Sequence, residues 1–579
     1  MEKNVLIDSL AISLFETRAD ELLISNAHEE LSDFIKVIDQ ENFIFDDDFI
    51  KARFFYTIAN CYSVVHRYHN CQWYSEDLNK AVINYRKALY TIKAIEFQGP
   101  DHVNLRSRIE TNLANWLSSQ GRAFCCIPHW STAIELDTNP VAIINKAENE
   151  LFIADHLYDS SHIRYHYYQA YSLIKLGQEN LNLLHSEQKV AYAENGKFLD
   201  FKAWFEANYK DSDFEHLQSF KEKVDSKQQF NYLKWCGDNT LFLNDLNDIS
   251  GSEIVYQDIF TLPSFVQEVN SSLAMHEDYV YHGNFDEIKN EYCYARYLIF
   301  TAQKIPNEQE HFFNKTYPHI DDMSHSLTNL KSSHYKSAFR TLYSIFDKIA
   351  YFLNSFLDLR DVDSKVYFHN IFGELKNDTL KPYKKLINSN NYFLHALFYI
   401  LKDIRDSNKK DASQESLSYW LDPDAKGFSM IRNAMEHRSL KIVDEFGNSL
   451  TNRDIAYHEG EVKKIEDELE RLQIKLPEIY SEIRKVKKSN DEDLKKEWEQ
   501  QKIQLENEIS RLQGKLHEKH KRANHSLLIT DTEFESRLFT LMTLVRNSIM
   551  YLSLAIHLEQ TQKPDDCTLT IPRDVPLKQ

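Results

Sequence analysis

Residues 334–359, HYKSAFRTLYSIFDKIAYFLNSFLDL, decide the fold class. Phe339, Leu342, Ile345, Phe346 and Ile349 recur at spacings of three and four, which places them on one stripe of a 3.6-residue helix. A half-buried strand would alternate apolar and polar positions, and this stretch does not. The stripe therefore predicts a core helix, within a helical region that runs from 285 to 360. Residues 531–560, DTEFESRLFTLMTLVRNSIMYLSLAIHLEQ, form the most apolar helical stretch of the chain, with Asp531 or Thr532 as its expected cap.

Composition agrees with long helices. The 579 residues contain only 12 glycines and 12 prolines, which leaves little material for the tight turns of a β-rich fold. Hydrophobic residues make up 42% and charged residues 27%, enough apolar surface for a substantial core. The length suggests two to four domains. Seven scattered cysteines without a C-x-x-C pair indicate neither a disulfide framework nor a zinc knuckle, and a reducing cytoplasm is expected. The first residues, MEKNVLIDSLAISLFETRADELL, carry acidic side chains within their apolar stretch and read as a helix, not a signal peptide. No membrane span is expected. The net charge of -20 opposes general polyanion binding, so any nucleic-acid site must be locally basic.

In residues 113–140, LANWLSSQGRAFCCIPHWSTAIELDTNP, Leu113, Ala114 and Leu117, then Gly121, then Cys126, Trp130 and Ala133 mark two helices around a turn. The pattern resembles a tetratricopeptide repeat. Pro128 departs from it and predicts a strained or shortened second helix. Ile58, Ala59, Tyr62, Ala81, Tyr85 and Ala88 form a second copy, whose turn is lengthened around HNCQWYSED at 69–77. The expected organisation is a TPR-like repeat domain over 1–215, a connecting region over 216–284 and a helical-bundle domain over 285–579.

Residues 458–523 stand apart within that last domain. Val462, Ile465, Leu469, Leu472, Leu476, Ile479, Ile483 and Val486 repeat at three and four on a densely charged background. After a polar turn, Leu494, Trp498, Leu505, Ile509, Leu512 and Leu516 do the same. Two such arms predict an antiparallel coiled-coil hairpin inserted into the domain.

The stretch KGFSMIRNAMEHRSLKI, 426–442, separates Arg432 and His437 by four residues on an apolar-striped helix, with Asn433 directly after the arginine. Comparable spacings occur at Arg122 with His129, Arg453 with His458 and Arg511 with His517. The first lies in a repeat turn and the last on a coiled-coil arm, which leaves Arg453 with His458 as the rival. Together with the repeats and the I-R-N-x-x-E-H-R context, the Arg432 motif resembles the LA2681-like HEPN family. That resemblance implies an all-α bundle and a metal-independent endoribonuclease acting through the RNA 2'-hydroxyl. It further implies a homodimer facing across the motif helix and a toxin-like or antiviral-defence role regulated by the repeats.

The residue types suit such chemistry. Arginine stays charged and grips phosphate oxygens with a planar fork, and histidine titrates near cellular pH. Arg432 and His437, with Asn433, are the candidate catalytic residues, and Glu436 and Arg438 the supporting ones. On one helix Arg432 and His437 lie about 140° apart, so a two-fold partner would complete the cleft. Lys381, Lys384 and Lys385, or Lys402, Arg405, Lys409 and Lys410, are candidate RNA contacts, with solvated surface charge as the competing reading. His162 and His166 share a helical face but lack a third metal ligand. No cofactor is expected, and motifs for zinc hydrolases, nucleotide switches, dinucleotide enzymes and α/β-hydrolases are missing from the sequence. A non-catalytic interaction scaffold that dimerises through an inactive bundle is the alternative; the repeats then bind a protein or ligand.

Overall fold

The structure is a computed structural model. It describes residues 4–578 except 40, 70–72, 97–98, 185, 187, 194–195, 264–276, 307–310, 317–318, 320–324, 358–365, 368–369, 377–378, 406–424, 438, 490–491, 524–525 and 563–577. The fold is all-α with three two-stranded ribbons among the described residues. The first helices are α1 (Ser9–Ile24), α2 (His28–Ile38), α3 (Asp48–Tyr68), α4 (Glu76–Lys93), α5 (Pro100–Ser119), α6 (Ile127–Asp137), α7 (Pro140–His156) and α8 (Ser160–Glu179). Then come α9 (Lys197–Asn208), α10 (His216–Ser219), α11 (Lys227–Asp238), α12 (Glu277–Gln303), α13 (Phe312–Lys315), α14 (Leu330–Phe356), α15 (Lys384–Ile387), α16 (Tyr392–Arg405) and α17 (Ala425–His437). The long arms α18 (Glu445–Ser489) and α19 (Glu492–Ala523) precede α20 (Asp531–Thr561). The strands are β1 (Asn4–Ile7) with β2 (Asn42–Phe45), β3 (Gly373–Lys376) with β4 (Thr379–Pro382), and β5 (Ser439–Val443) with β6 (Ser526–Thr530). Two compact units emerge: Met1–Phe300, Ala338–Ser429 and Phe539–Gln579 in one, Thr301–Ser337 and Met430–Leu538 in the other.

In the first unit, the N-terminal half is helical, and each of α3 to α8 packs on its successor. The helix starts are written in the sequence: Asp47, Ser75, Asn139 and Asp159 each accept hydrogen bonds from amides of the first turn of α3, α4, α7 and α8. Pro128 sits in the first turn of α6, where no intrahelical N–H is needed, so the helix is short rather than strained. Gly121 has φ +78, and a Cβ there would lie 2.1 Å from the Tyr392 carbonyl oxygen. Glycine is needed at this turn for conformation and for clearance. The long turn before α4 has a packing role. Trp73 stacks on His395 of α16 at 4.0 Å between ring centroids and donates to the Ile387 carbonyl.

Buried charges tie this unit together. Asp403 of α16 accepts from Arg86 of α4 at 2.9 Å and from Arg122 at 2.6 Å. Burial alone would raise the Asp403 pKa, and the two guanidinium charges hold it below the usual carboxylate range. Residues 241–258 are held from two sides. Arg296 of α12 donates to Leu241 and Asp258, and Arg546 of α20 donates to Phe242, Asn244 and Asp248. By length and apolarity alone α20 matches a membrane span, contrary to the expectation that no segment would. Its apolar window is 83% buried inside the protein, so core packing accounts for that character.

In the second unit, β5 and β6 run parallel, with Leu440 opposite Leu527 and Ile442 opposite Ile529. Ser326 bridges Val443 on the other side of β5, and Leu327 donates to the Ile442 carbonyl. The α18 and α19 hairpin occupies the connection between these strands, where a parallel pair requires a crossover. The eight seam positions of α18 are all buried or half-buried, as are Trp498, Leu505, Ile509, Leu512 and Leu516 of α19; Leu494 is exposed. The cap of α20 is neither Asp531 nor Thr532 but Thr530, the last residue of β6, whose hydroxyl accepts from the Glu533 amide at 3.2 Å. Glu535 of α20 accepts from Gln303 and Tyr335, joining three helix ends.

Candidate functional site

Helix α17 presents two different faces. Phe428, Ile431 and Ala434 are buried, with Phe428 beside Phe339 of α14 at 6.2 Å between ring centroids. Asn433 and Glu436 are exposed and Arg432 is half-exposed. The Arg432 Nε lies 3.6 Å from Glu436 Oε2, one turn along. A surface pair of this kind is worth under about 1 kcal/mol, weak enough for a phosphate oxygen to take its place. His437 is the last residue of the helix, and its side chain, like the whole of Arg438, lies outside the described residues.

A strand fixes the end of α17. Strand β5 begins two residues after His437 and is paired along its length with β6. Lys336 of α14 donates to the Leu440 carbonyl at 2.9 Å. The helical periodicity on either side hides this ribbon, which no expectation from the sequence included, although SLKIV and SLLIT flank the coiled coil as two short apolar runs of strand length.

The other candidates fall elsewhere. The Arg122 and His129 spacing is part of a structural ion-pair set: Arg122 is 1% exposed and bound to Asp403, and His129 Nδ1 lies 2.5 Å from Glu110 Oε2. Both line a cavity of about 470 Å³ together with Arg546, itself paired with Asp248. Arg511 pairs with Glu508 on α19, and His517 is exposed. The side chains of Arg453 and His458 on α18 lie outside the described residues.

Among the lysines, Lys402 cannot reach solvent phosphate. It is 1% exposed, with its amine 4.0 Å from Glu76 and near the Tyr74 ring, because its helix face packs inward. Lys381 is exposed on β4. The side chains of Lys384, Lys385 and Arg405, and the whole of Lys409 and Lys410, lie outside the described residues.

His162 and His166 are bound by carboxylates. His162 Nδ1 meets Asp245 at 2.8 Å, His166 Nε2 meets Asp245 at 3.0 Å, and His166 Nδ1 meets Glu150 at 2.7 Å. Burial lowers the His166 pKa, but the two carboxylates outweigh it and raise the value to about 9. Among the described residues no group of three or more His, Cys, Asp or Glu side chains is arranged to hold a metal ion.

One known family matches this chain. The sequence profile of the LA2681-like HEPN family covers residues 273–476, which run from before α12 into α18 and include all of α17. No curated protein and no solved structure matches the chain.

Proposed function

Because this chain carries an LA2681-like HEPN domain, we propose that it is a metal-independent endoribonuclease whose chemistry is carried by Arg432 and His437 on α17, with Asn433 alongside. The observation that supports this reading most is the two-faced helix inside the family match. Its apolar side is buried, and Arg432 and Asn433 stand on the side open to a ligand. In the proposed reaction the RNA 2'-oxygen attacks the adjacent phosphorus as the bond to the 5'-oxygen breaks. The 2'-hydroxyl proton passes to a base and a proton returns to the leaving oxygen, so a 2',3'-cyclic phosphate and a 5'-hydroxyl result. His437 moves these protons, and Arg432 stabilises the charge that gathers on the phosphorane oxygens. Glu436 orients the guanidinium, and Arg438 supports the site. A second copy facing α17 across a two-fold axis brings two such sets to one cleft. Residues 1–215 regulate the domain as TPR-like repeats, and a toxin or antiviral-defence role is inferred from the family resemblance.

The test is incubation of the full chain with total RNA in EDTA, beside His437→Ala and Arg432→Ala. Loss of about a hundredfold or more in cleavage rate is expected for each variant. Identical RNA patterns with all three proteins remove the enzyme reading and leave an interaction scaffold built on an inactive bundle. Cleavage that stops in EDTA removes the metal-independent mechanism, and activity lost only in His458→Ala moves the site to the rival motif.

A further inference from the structure

The cavity of about 470 Å³ between α4, α5, α6 and α20 takes no part in the proposed cleavage. Its volume falls in the range of small-molecule pockets, roughly 300 to 1,000 Å³. Leu89, Leu113, Leu117, Phe124 and Leu544 give it apolar walls. Asp248 in the same lining has both oxygens taken by Arg546, at 3.2 and 2.6 Å. Donors, by contrast, are left over. Asn547, 3% exposed, accepts from Arg546 through Oδ1, which fixes its amide nitrogen on the side of Cys125, another residue of the lining. That nitrogen carries two hydrogens, and among the described residues its one partner is the Cys125 sulfur at 3.4 Å. A buried N–H without an acceptor is costly, so the lining suits a ligand that brings one.

The cavity is also locally positive, in a chain of net charge -20. Lys93 Nζ and Arg106 Nε lie 3.3 and 3.9 Å from one oxygen of Glu110, and His129 Nδ1 lies 2.5 Å from the other. Burial raises the Glu110 pKa, and its contacts with His129 and Lys93 outweigh that, so the carboxylate stays ionised. Two permanent cations share one anion here, which leaves one positive charge before His129 is counted. Lys93 and His129 themselves line the cavity. Lys93 has N–H groups beyond the one facing Glu110, and His129 Nε2 meets no partner among the described residues and is a donor in the protonated ring.

We propose that this cavity binds a small organic acid, a monocarboxylate with an apolar body, whose oxygens are the acceptors that Lys93, His129 and Asn547 lack. The body lies along Leu89, Leu117 and Leu544. One residual positive charge balances a monoanion and leaves a phosphate dianion under-compensated. The inference does not depend on the ribonuclease reading.

The test uses the full chain with octanoate, its neutral counterpart octanamide and octyl phosphate as probes. Cys125 is the reporter. Its alkylation by iodoacetamide is followed by tandem mass spectrometry, which separates it from the buried Cys126, and half-buried Cys293, which does not line the cavity, is the control. Saturating octanoate is expected to slow labelling of Cys125 at least about tenfold and to leave Cys293 unchanged, and octanamide to need at least about tenfold more ligand for the same protection. Lys93→Gln is expected to remove the preference for octanoate over octanamide. A Cys125 that iodoacetamide does not reach, that octanoate does not protect, or that octanamide protects equally well overturns the proposal. Protection by octyl phosphate at lower concentration than octanoate overturns the monocarboxylate assignment, and a preference that survives Lys93→Gln overturns the placement of the acid.

Discussion

Single residues settle which histidines of this protein are structural. His162, His166, Glu150 and Asp245 form a buried chain of alternating imidazole and carboxylate, and its charge state gives it a pH signature. His166 has a folded pKa of about 9 against an ordinary 6.5, so its contribution is complete below 6.5 and is lost as pH rises through 9. Asp245 is held below its ordinary value: burial opposes this, and the two histidines outweigh it. Its contribution is present above the ordinary carboxylate range and lost only in strong acid. The gap from 6.5 to about 9 corresponds to at most about 3 kcal/mol. Thermal unfolding between pH 6 and pH 10 should show a falling alkaline limb in the natural protein and a flatter one in His166→Gln. Parallel limbs in the two proteins contradict the assignment.

At the scale of elements, the hairpin owes its direction to the short connection between its arms and its cohesion to the apolar seam. Near the strands α18 carries Glu466, Asp467, Glu468 and Glu470, and the facing part of α19 carries Arg511 and Lys515. Near the turn the signs exchange, with Arg484 and Lys485 on α18 and Asp493, Glu497 and Glu499 on α19. The short connection between the arms imposes antiparallel pairing, which sets these opposite net charges against each other. Leu512, 2% exposed, anchors the seam beside Ile465, whereas Ile503 is 56% exposed. Leu512→Ala is expected to cost about 2 to 5 kcal/mol in unfolding of the hairpin followed by circular dichroism. Ile503→Ala should stay within about 0.5 kcal/mol. Equal effects of the two substitutions would sink the seam assignment.

At the scale of the whole molecule, the question is whether the proposed site is shared between copies. If Arg432 of one copy works with His437 of the other, mixing Arg432→Ala with His437→Ala protein restores one of the two Arg432–His437 sets in each mixed dimer. Random exchange of two-fold dimers then returns about a quarter of the natural cleavage rate. A mixture as inactive as its components places both groups in one chain or discards the cleft.

Much of this protein was legible from local pattern. The stripe at 339–349 and the hairpin seam involve residues within a turn or two of one another, where helix periodicity alone dictates the shared face. The tertiary structure decided what depends on distant partners. It buried Lys402, committed Arg122 to Asp403, joined β5 to β6 across the whole length of the hairpin, and set Lys93 and Arg106 against one buried Glu110. Periodicity states which side of an element is apolar; which charges meet across the core is set by how elements separated by tens to hundreds of residues pack, and no local spacing encodes that.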